Sequence, residues 1–259
     1  MMADTVIPGV SSGRPDRGLW AGPALVVAAL VMLGITSLVV ARVALADLPL
    51  YFAGRYLVLD ATSLLFVLVV NSVFLGISVY MSSRVSTSRV LARSLLPRAA
   101  LTLAFMLAMN LGILANHLLL QWAAIELTTL CAAPLVAQGD TPRSRRVAWH
   151  YLMYSSMSLA LTFLGILCLT RSAQLQGVSL DFAFDALGAT LPASGDGWQR
   201  LGLALMLFGL GSKLGLAPLY SWLPETYEAA PTSTSALLAA VQFNISIVAV
   251  LRVLQVFHG

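Results

Sequence analysis

Apolar stretches of about twenty residues recur along the chain at 20–40, 57–81, 147–169, 201–220 and 233–257, and one of 39 residues fills 99–137. A water-soluble domain does not sustain such runs in succession, whereas each crossing of a bilayer core takes a helix of about 20 apolar residues. The longest stretch exceeds one crossing, and Asn116-His117 at its midpoint predicts a turn between two helices. Charged side chains are 10% of the 259 residues, against about 25% in soluble domains, so little mass is left outside the membrane. The pattern predicts an all-α polytopic membrane protein of about seven transmembrane helices.

The polar residues between the runs set the orientation. Arg14 and Arg17 precede the first run, which is longer than the apolar region of a signal peptide and is separated by Arg42 from the A-x-A triplet Ala44-Leu45-Ala46. The expectation is a retained helix. With the N-terminus inside, the inner segments collect nine arginines, including Arg84, Arg89, Arg93 and Arg98 in the 84–98 loop and Arg143, Arg145 and Arg146 before the fifth run, against five outside. Positive-inside counting therefore predicts a cytoplasmic N-terminus. The net charge of +4 comes from these loop arginines and marks no nucleic-acid face. Cys131 and Cys168 lie inside apolar runs without CxxC spacing and read as packing residues. No residue pattern predicts a metal, haem, iron-sulfur or nucleotide cofactor, so any redox cofactor belongs to partners.

Lys213 is the only lysine. It falls about 12 residues, roughly 18 Å, into the sixth run, too deep for easy snorkelling. A central lysine costs insertion about 2.5 to 3.5 kcal/mol, which the apolar residues of 201–208 offset at roughly 0.3 to 0.6 each. Gly209, Gly211, Gly215 and Pro218 weaken the helix around it, and such breaks survive in a membrane where protein or a wet cavity satisfies the freed backbone. An interrupted helix carrying an ionisable group is a transport-site pattern. The plainer reading is a kinked helix whose lysine reaches toward the interface.

Glu126 is the other ionisable residue far from an expected interface, about 8 residues into its helix and at a depth similar to that of Lys213. Burial disfavours the charged form of each and mutual attraction restores it, so two protonation states lie close in energy, as a proton relay requires. The alternative is a static Glu-Lys bridge that fixes helix register. His150, at the inner end of the fifth helix, is a candidate to feed protons from the cytoplasm, with an interfacial histidine of no such role as the alternative. His117 and His258 are expected to be solvated. Asn110, Thr128, Thr129, Ser155, Ser156, Ser158 and Asn244 are candidates to hold water between the charges, or to bond within and between helices.

Three strings extend this reading: Gln121-Trp-Ala-Ala-Ile-Glu126-Leu-Thr-Thr-Leu130, Gly211-x-Lys213-x-Gly-Leu-Ala-Pro218, and Trp222-Leu-Pro-x5-Ala-Pro231-x3-Ser235-Ala-Leu-Leu. Together they resemble the antiporter-like proton-translocating subunits of respiratory complex I, and most of all the F-type subunit of hydrogenase-4 and formate-hydrogenlyase-like complexes. The resemblance covers about 99–257. It implies a peripheral part at 1–98, with the tail and two helices, and a five-helix proton-channel unit at 99–259. It also implies that Glu126 and Lys213 are the first pair of a proton half-channel, with His150 where relatives carry lysine. Arg252 matches a family arginine. Tyr220, Tyr227 and Ala239 stand where relatives tend to have histidines, so the link onward from Lys213 is missing or differently wired. The family places its glutamate on the fifth helix and the present count places it on the fourth, which an absent first helix would reconcile. Family members carry two inverted five-helix units and this chain holds one, as a fragment or as a half completed by a partner. The implied role is a non-catalytic, proton-conducting subunit of a complex I-like or hydrogenase-type oxidoreductase, among other membrane subunits and a redox or soluble partner. The alternative is a subunit of a cation/proton antiporter or a bicarbonate-uptake system.

Overall fold

The computed structural model describes residues 21–43, 49–85, 89–139, 141–191, 195–217 and 220–258. The arginines at 14 and 17, the A-x-A triplet and Pro218 lie outside the described residues. Helix α1 (Ala21–Val43) is followed by a short antiparallel hairpin, β1 (Leu50–Phe52) and β2 (Leu57–Leu59), paired Leu50 to Leu59. Its turn takes positive φ at Ala53, Gly54 and Arg55, and only the glycine does so without strain. Asp60 then starts α2 (Ala61–Val85) by accepting the Ser63 amide at 2.7 Å, which satisfies one of the helix's free N–H groups.

Helices α3 (Arg89–Leu114) and α4 (Leu118–Ala137) divide the long apolar stretch at Asn116 and His117, where the sequence placed the turn. Asn116 fixes that turn by donating from Nδ2 to Arg55 O and to Asp185 Oδ1, each at 3.0 Å. His117, expected to be solvated, is instead half-buried between the rings of Tyr56 and Phe182, with centroids 5.3 and 6.0 Å away. The 84–98 segment, expected as a loop, is helical from Arg89 onward. Arginine is a good helix former, and a hydropathy reading registers only the apolar part of a helix that continues past the bilayer core.

The same effect lengthens the fifth helix. It was expected at 147–169 and runs as α5 (Pro142–Leu175), opened by a reciprocal cap between Thr141 and Ser144 and by proline in its first turn. The following connection contains α6 (Phe184–Thr190) and lies back on the α3–α4 turn, with Leu118 N donating to Phe182 O and Phe184 N to Asn116 O. Helix α7 (Gly197–Lys213) starts on the Asp196 side chain, which accepts the Gln199 amide at 2.8 Å. Then come α8 (Trp222–Ala229), α9 (Thr232–Leu237), a π-helical turn at Leu238–Gln242, and α10 (Phe243–His258).

Among the described residues six helical stretches are long and apolar enough to cross a membrane: one each in α1 to α5, and Thr232–Phe257. The remaining expected span, the sixth run at 201–220, is α7, which has 17 residues, about 26 Å of helix. It packs along α5 through small residues: a Cβ on Gly165 would lie 2.6 Å from Gly202 O, and one on Gly202 would lie 2.8 Å from Gly165 O. Such contacts let two backbones approach where lipid provides no hydrophobic drive. On the other side, Asn110 donates to Asn71 at 3.0 Å and Asn71 to Thr36 at 2.9 Å, a polar ladder across α3, α2 and α1.

Candidate functional site

Helix α7 runs unbroken through Gly209 and Gly211 and ends at Lys213, so those two glycines do not interrupt it. Gly209 is there for packing, because a Cβ would meet Thr162 Oγ1 at 2.2 Å and Ser158 O at 2.3 Å on α5. Just past that end stands Gly215, whose φ of +69° is the left-handed conformation that glycine adopts freely. Gly215 N donates to Ser212 O at 3.1 Å and Leu216 N to Gly211 O at 3.0 Å, the two bonds of a Schellman C-cap, with Leu216 folded against Gly211. A cavity of about 300 Å³, lined by Phe208, Gly211, Ser212 and Leu216 among others, opens beside this end.

Lys213 therefore occupies the last turn of α7, where an ammonium is favoured by the helix carbonyls. It is 1% exposed. Its Nζ donates to Thr129 Oγ1 on α4 and lies 5.5 Å from the ring centroid of Tyr151 on α5. Ser212 beside it shares a 2.7 Å hydrogen bond with Ser158 and accepts the Trp222 indole N–H at 3.3 Å, which ties α7, α5 and α8 together at the lysine.

Glu126 lies on α4, one turn before Thr129. It is half-buried, and its Oε1 accepts the Ser156 hydroxyl of α5 at 2.6 Å. Its other oxygen, Oε2, is buried and has no hydrogen-bond partner among the described residues. Glu126 and Lys213 form no ion pair within 4.0 Å among the described residues, so the structure does not draw the static bridge. Thr129, one turn along α4 from Glu126, is the lysine's direct partner. His150 joins neither: its Nδ1 lies 3.5 Å from Glu225 Oε2 of α8, both side chains nearly half exposed. With Arg143 and Glu228 at 2.7 Å, this contact fastens α8 along the start of α5.

Two residues that the sequence reading passed over complete the cluster. Tyr151 is fully buried, packs on the Trp222 ring, and exchanges hydrogen bonds with Gln242 in the π-helical turn. A glutamine near the middle of the apolar 233–257 run was the available signal. Tyr220 is exposed, and the Tyr227 hydroxyl is buried without a hydrogen-bond partner among the described residues. Arg252, which had no assigned role, is 4% exposed on α10 and donates to Ala115 O, to Ile113 O at 3.1 Å and to Ser63 Oγ at 2.6 Å. It caps the carbonyl end of α3 beneath a cavity of about 610 Å³ that Asp60, Asn116 and Asp185 also line.

The NADH:quinone oxidoreductase/Mrp antiporter transmembrane family matches residues 115–259. The hydrogenase-4 component F homolog of Methylacidiphilum infernorum is 26% identical over 208 residues, 77% of this chain and 43% of that one. NADH-quinone oxidoreductase subunit N of Methylovorus glucosotrophus is 32% identical over 145 residues, 55% of this chain and 29% of that one. The chain thus matches less than half the length of these curated relatives. Among solved structures, a chain of the membrane-bound sulfane sulfur reductase, an archaeal respiratory membrane complex, superposes with a TM-score of 0.78 at 21% identity, covering 91% of this chain and 48% of that one, which shows a shared fold.

Proposed function

We propose a function for a chain that belongs to the NADH:quinone oxidoreductase/Mrp antiporter transmembrane family: it is a proton-conducting membrane subunit in which Lys213 is the proton carrier and Glu126 its coupled partner. The observation that carries this is the setting of Lys213. A fully buried amine faces a hydroxyl and a ring, with no carboxylate within 4.0 Å among the described residues. Burial strips hydration from an ammonium and nothing of full opposite charge replaces it, so charged and neutral amine lie close in energy. Glu126 lies on α4 one turn before Thr129, the hydroxyl that Lys213 meets. A charge change in a neighbouring subunit then shifts the lysine between its two forms, and a proton moves.

In this reading the conducting unit is 99–259, His150 feeds protons from the arginine-rich side, and the N-terminus lies in the cytoplasm of a bacterium whose inner membrane holds the chain. Gly215 provides the helix end that seats Lys213, Gly211 leaves room for Leu216 at that end, and Gly209 seats α7 on α5. The partners are other membrane subunits and a redox or soluble subunit of a complex I-like or hydrogenase-type assembly. The family also includes Mrp antiporters, which supports a second reading as part of a cation/proton antiporter. Iron-sulfur or nickel absorbance in the purified assembly favours the first; colourless material with sodium-dependent flux favours the second. In either assembly Lys213→Ala and Glu126→Gln are expected to abolish proton flux while the complex still assembles. Normal flux in both variants overturns the proposal.

A further inference from the structure

We propose that Tyr151 and Gln242 are the onward link from Lys213, with the Tyr151 hydroxyl passing the proton and Gln242 acting as the positioning residue that holds it. This rests on the reading of Lys213 as a proton carrier. Ala239, where relatives carry a histidine, is exposed on the π-helical turn, and Gln242 three residues later is 2% exposed and points to α5. A π turn fits one extra residue into the helix and so rotates the residues after it relative to an α-helix, which makes the placing of Gln242 a property of this turn. Both polar atoms of the Gln242 amide reach the same hydroxyl: Tyr151 donates to Oε1 at 3.2 Å and accepts from Nε2 at 2.9 Å. Thr129, the partner of Lys213, stands beside that hydroxyl, and Lys213 lies over the ring.

These groups form a chain from α7 through α4 and α5 to the start of α10. A Lys213 N–H bond breaks as its proton joins the Thr129 oxygen. The Thr129 hydroxyl turns from Ile125 O, to which it donates at 3.3 Å, and its former proton joins the Tyr151 oxygen, while the former Tyr151 proton leaves its bond to Gln242 Oε1 for a water on the α10 side. Lys213 is left neutral, each hydroxyl has gained one proton and lost one, and a single charge has crossed the cluster. A buried tyrosine needs a hydrogen-bond partner for packing reasons alone, so the test separates relay from packing.

The native membrane assembly is reconstituted into lipid vesicles, a potassium diffusion potential is imposed, and proton uptake is read with an internal pH dye. Tyr151→Phe keeps the ring over which Lys213 sits and is expected to assemble, with flux lowered at least about tenfold. Gln242→Leu is expected to lose flux to a similar degree. Gln242→His, which restores donor and acceptor at that position, is expected to recover it with a pH dependence near neutrality that the wild type lacks. Wild-type flux in Tyr151→Phe and Gln242→Leu, alongside a dead Lys213→Ala, overturns this link and leaves the role of Lys213 standing. Equal loss in Gln242→Leu and Gln242→His overturns the positioning role, and wild-type flux in Lys213→Ala overturns both readings.

Discussion

Replacing Gly209 by alanine tests whether the α5–α7 seam sets the position of Lys213. The new Cβ would lie 2.2 Å from Thr162 Oγ1, 2.3 Å from Ser158 O and 2.9 Å from Thr162 N. The threonine hydroxyl can turn away, but the other two atoms are backbone, so the helices must part by about 1 Å to restore ordinary contact. Overpacking of this kind costs about 1–3 kcal/mol, and two backbone contacts inside 3.0 Å put it at the upper end. Alanine recovers about 1 kcal/mol of helix propensity. The net loss is then about 2 kcal/mol, roughly thirtyfold in the folded-to-unfolded ratio. Gly76→Ala is the control: a Cβ there meets nothing within 4 Å, so only the propensity gain of up to about 1 kcal/mol remains and the sign reverses. Both variants are heated in mild detergent, and the fraction of monodisperse assembly is read by size exclusion. If Gly209→Ala survives heating as well as Gly76→Ala, the seam yields and the reasoning fails.

Arg252→Met removes three hydrogen bonds from the buried carbonyl end of α3 and from Ser63, and is expected to destabilise the chain by about 3 kcal/mol or more in the same heating assay. For Asp185, partial burial pushes the carboxyl up, and the Arg55 guanidinium with the Asn116 amide outweighs this and holds it below the usual carboxylate range. A folded-state value below the unfolded one gives stability that is present above the unfolded value of about 3.9 and is lost as pH falls through the folded value. The stability gap between wild type and Asp185→Asn should therefore be open at about pH 6 and close toward about pH 3; a gap that widens on acidification contradicts the assignment.

The membrane class, the turn at Asn116 and His117, and the burial of Lys213 were legible in the chain, because the hydrocarbon core acts on local composition. Twenty apolar residues form a helix in lipid wherever they occur, and a charge among them is conspicuous. The ends of the long helices were less legible: Arg89 and Pro142 start helices outside the apolar windows, where propensity and capping act and hydropathy does not. The glycines show the limit well. Sequence treats Gly209, Gly211 and Gly215 alike as weak points, yet Gly209 is required by contact with α5 and Gly215 by its own backbone angle.

What only the tertiary structure decided is which groups meet. Lys213 turned to Thr129 and Tyr151, Glu126 to Ser156, and Arg252 to the end of α3. Tyr151 and Gln242 are 91 residues apart and were brought together by a π turn that no local composition announces. Local composition and spacing by themselves determined that the chain lives in a membrane, since transfer into lipid is a property of each segment alone. Which partners Glu126 and Lys213 meet depended on helix packing, because a hydrogen bond is set by positions a few tenths of an ångström apart on segments that are remote in the chain.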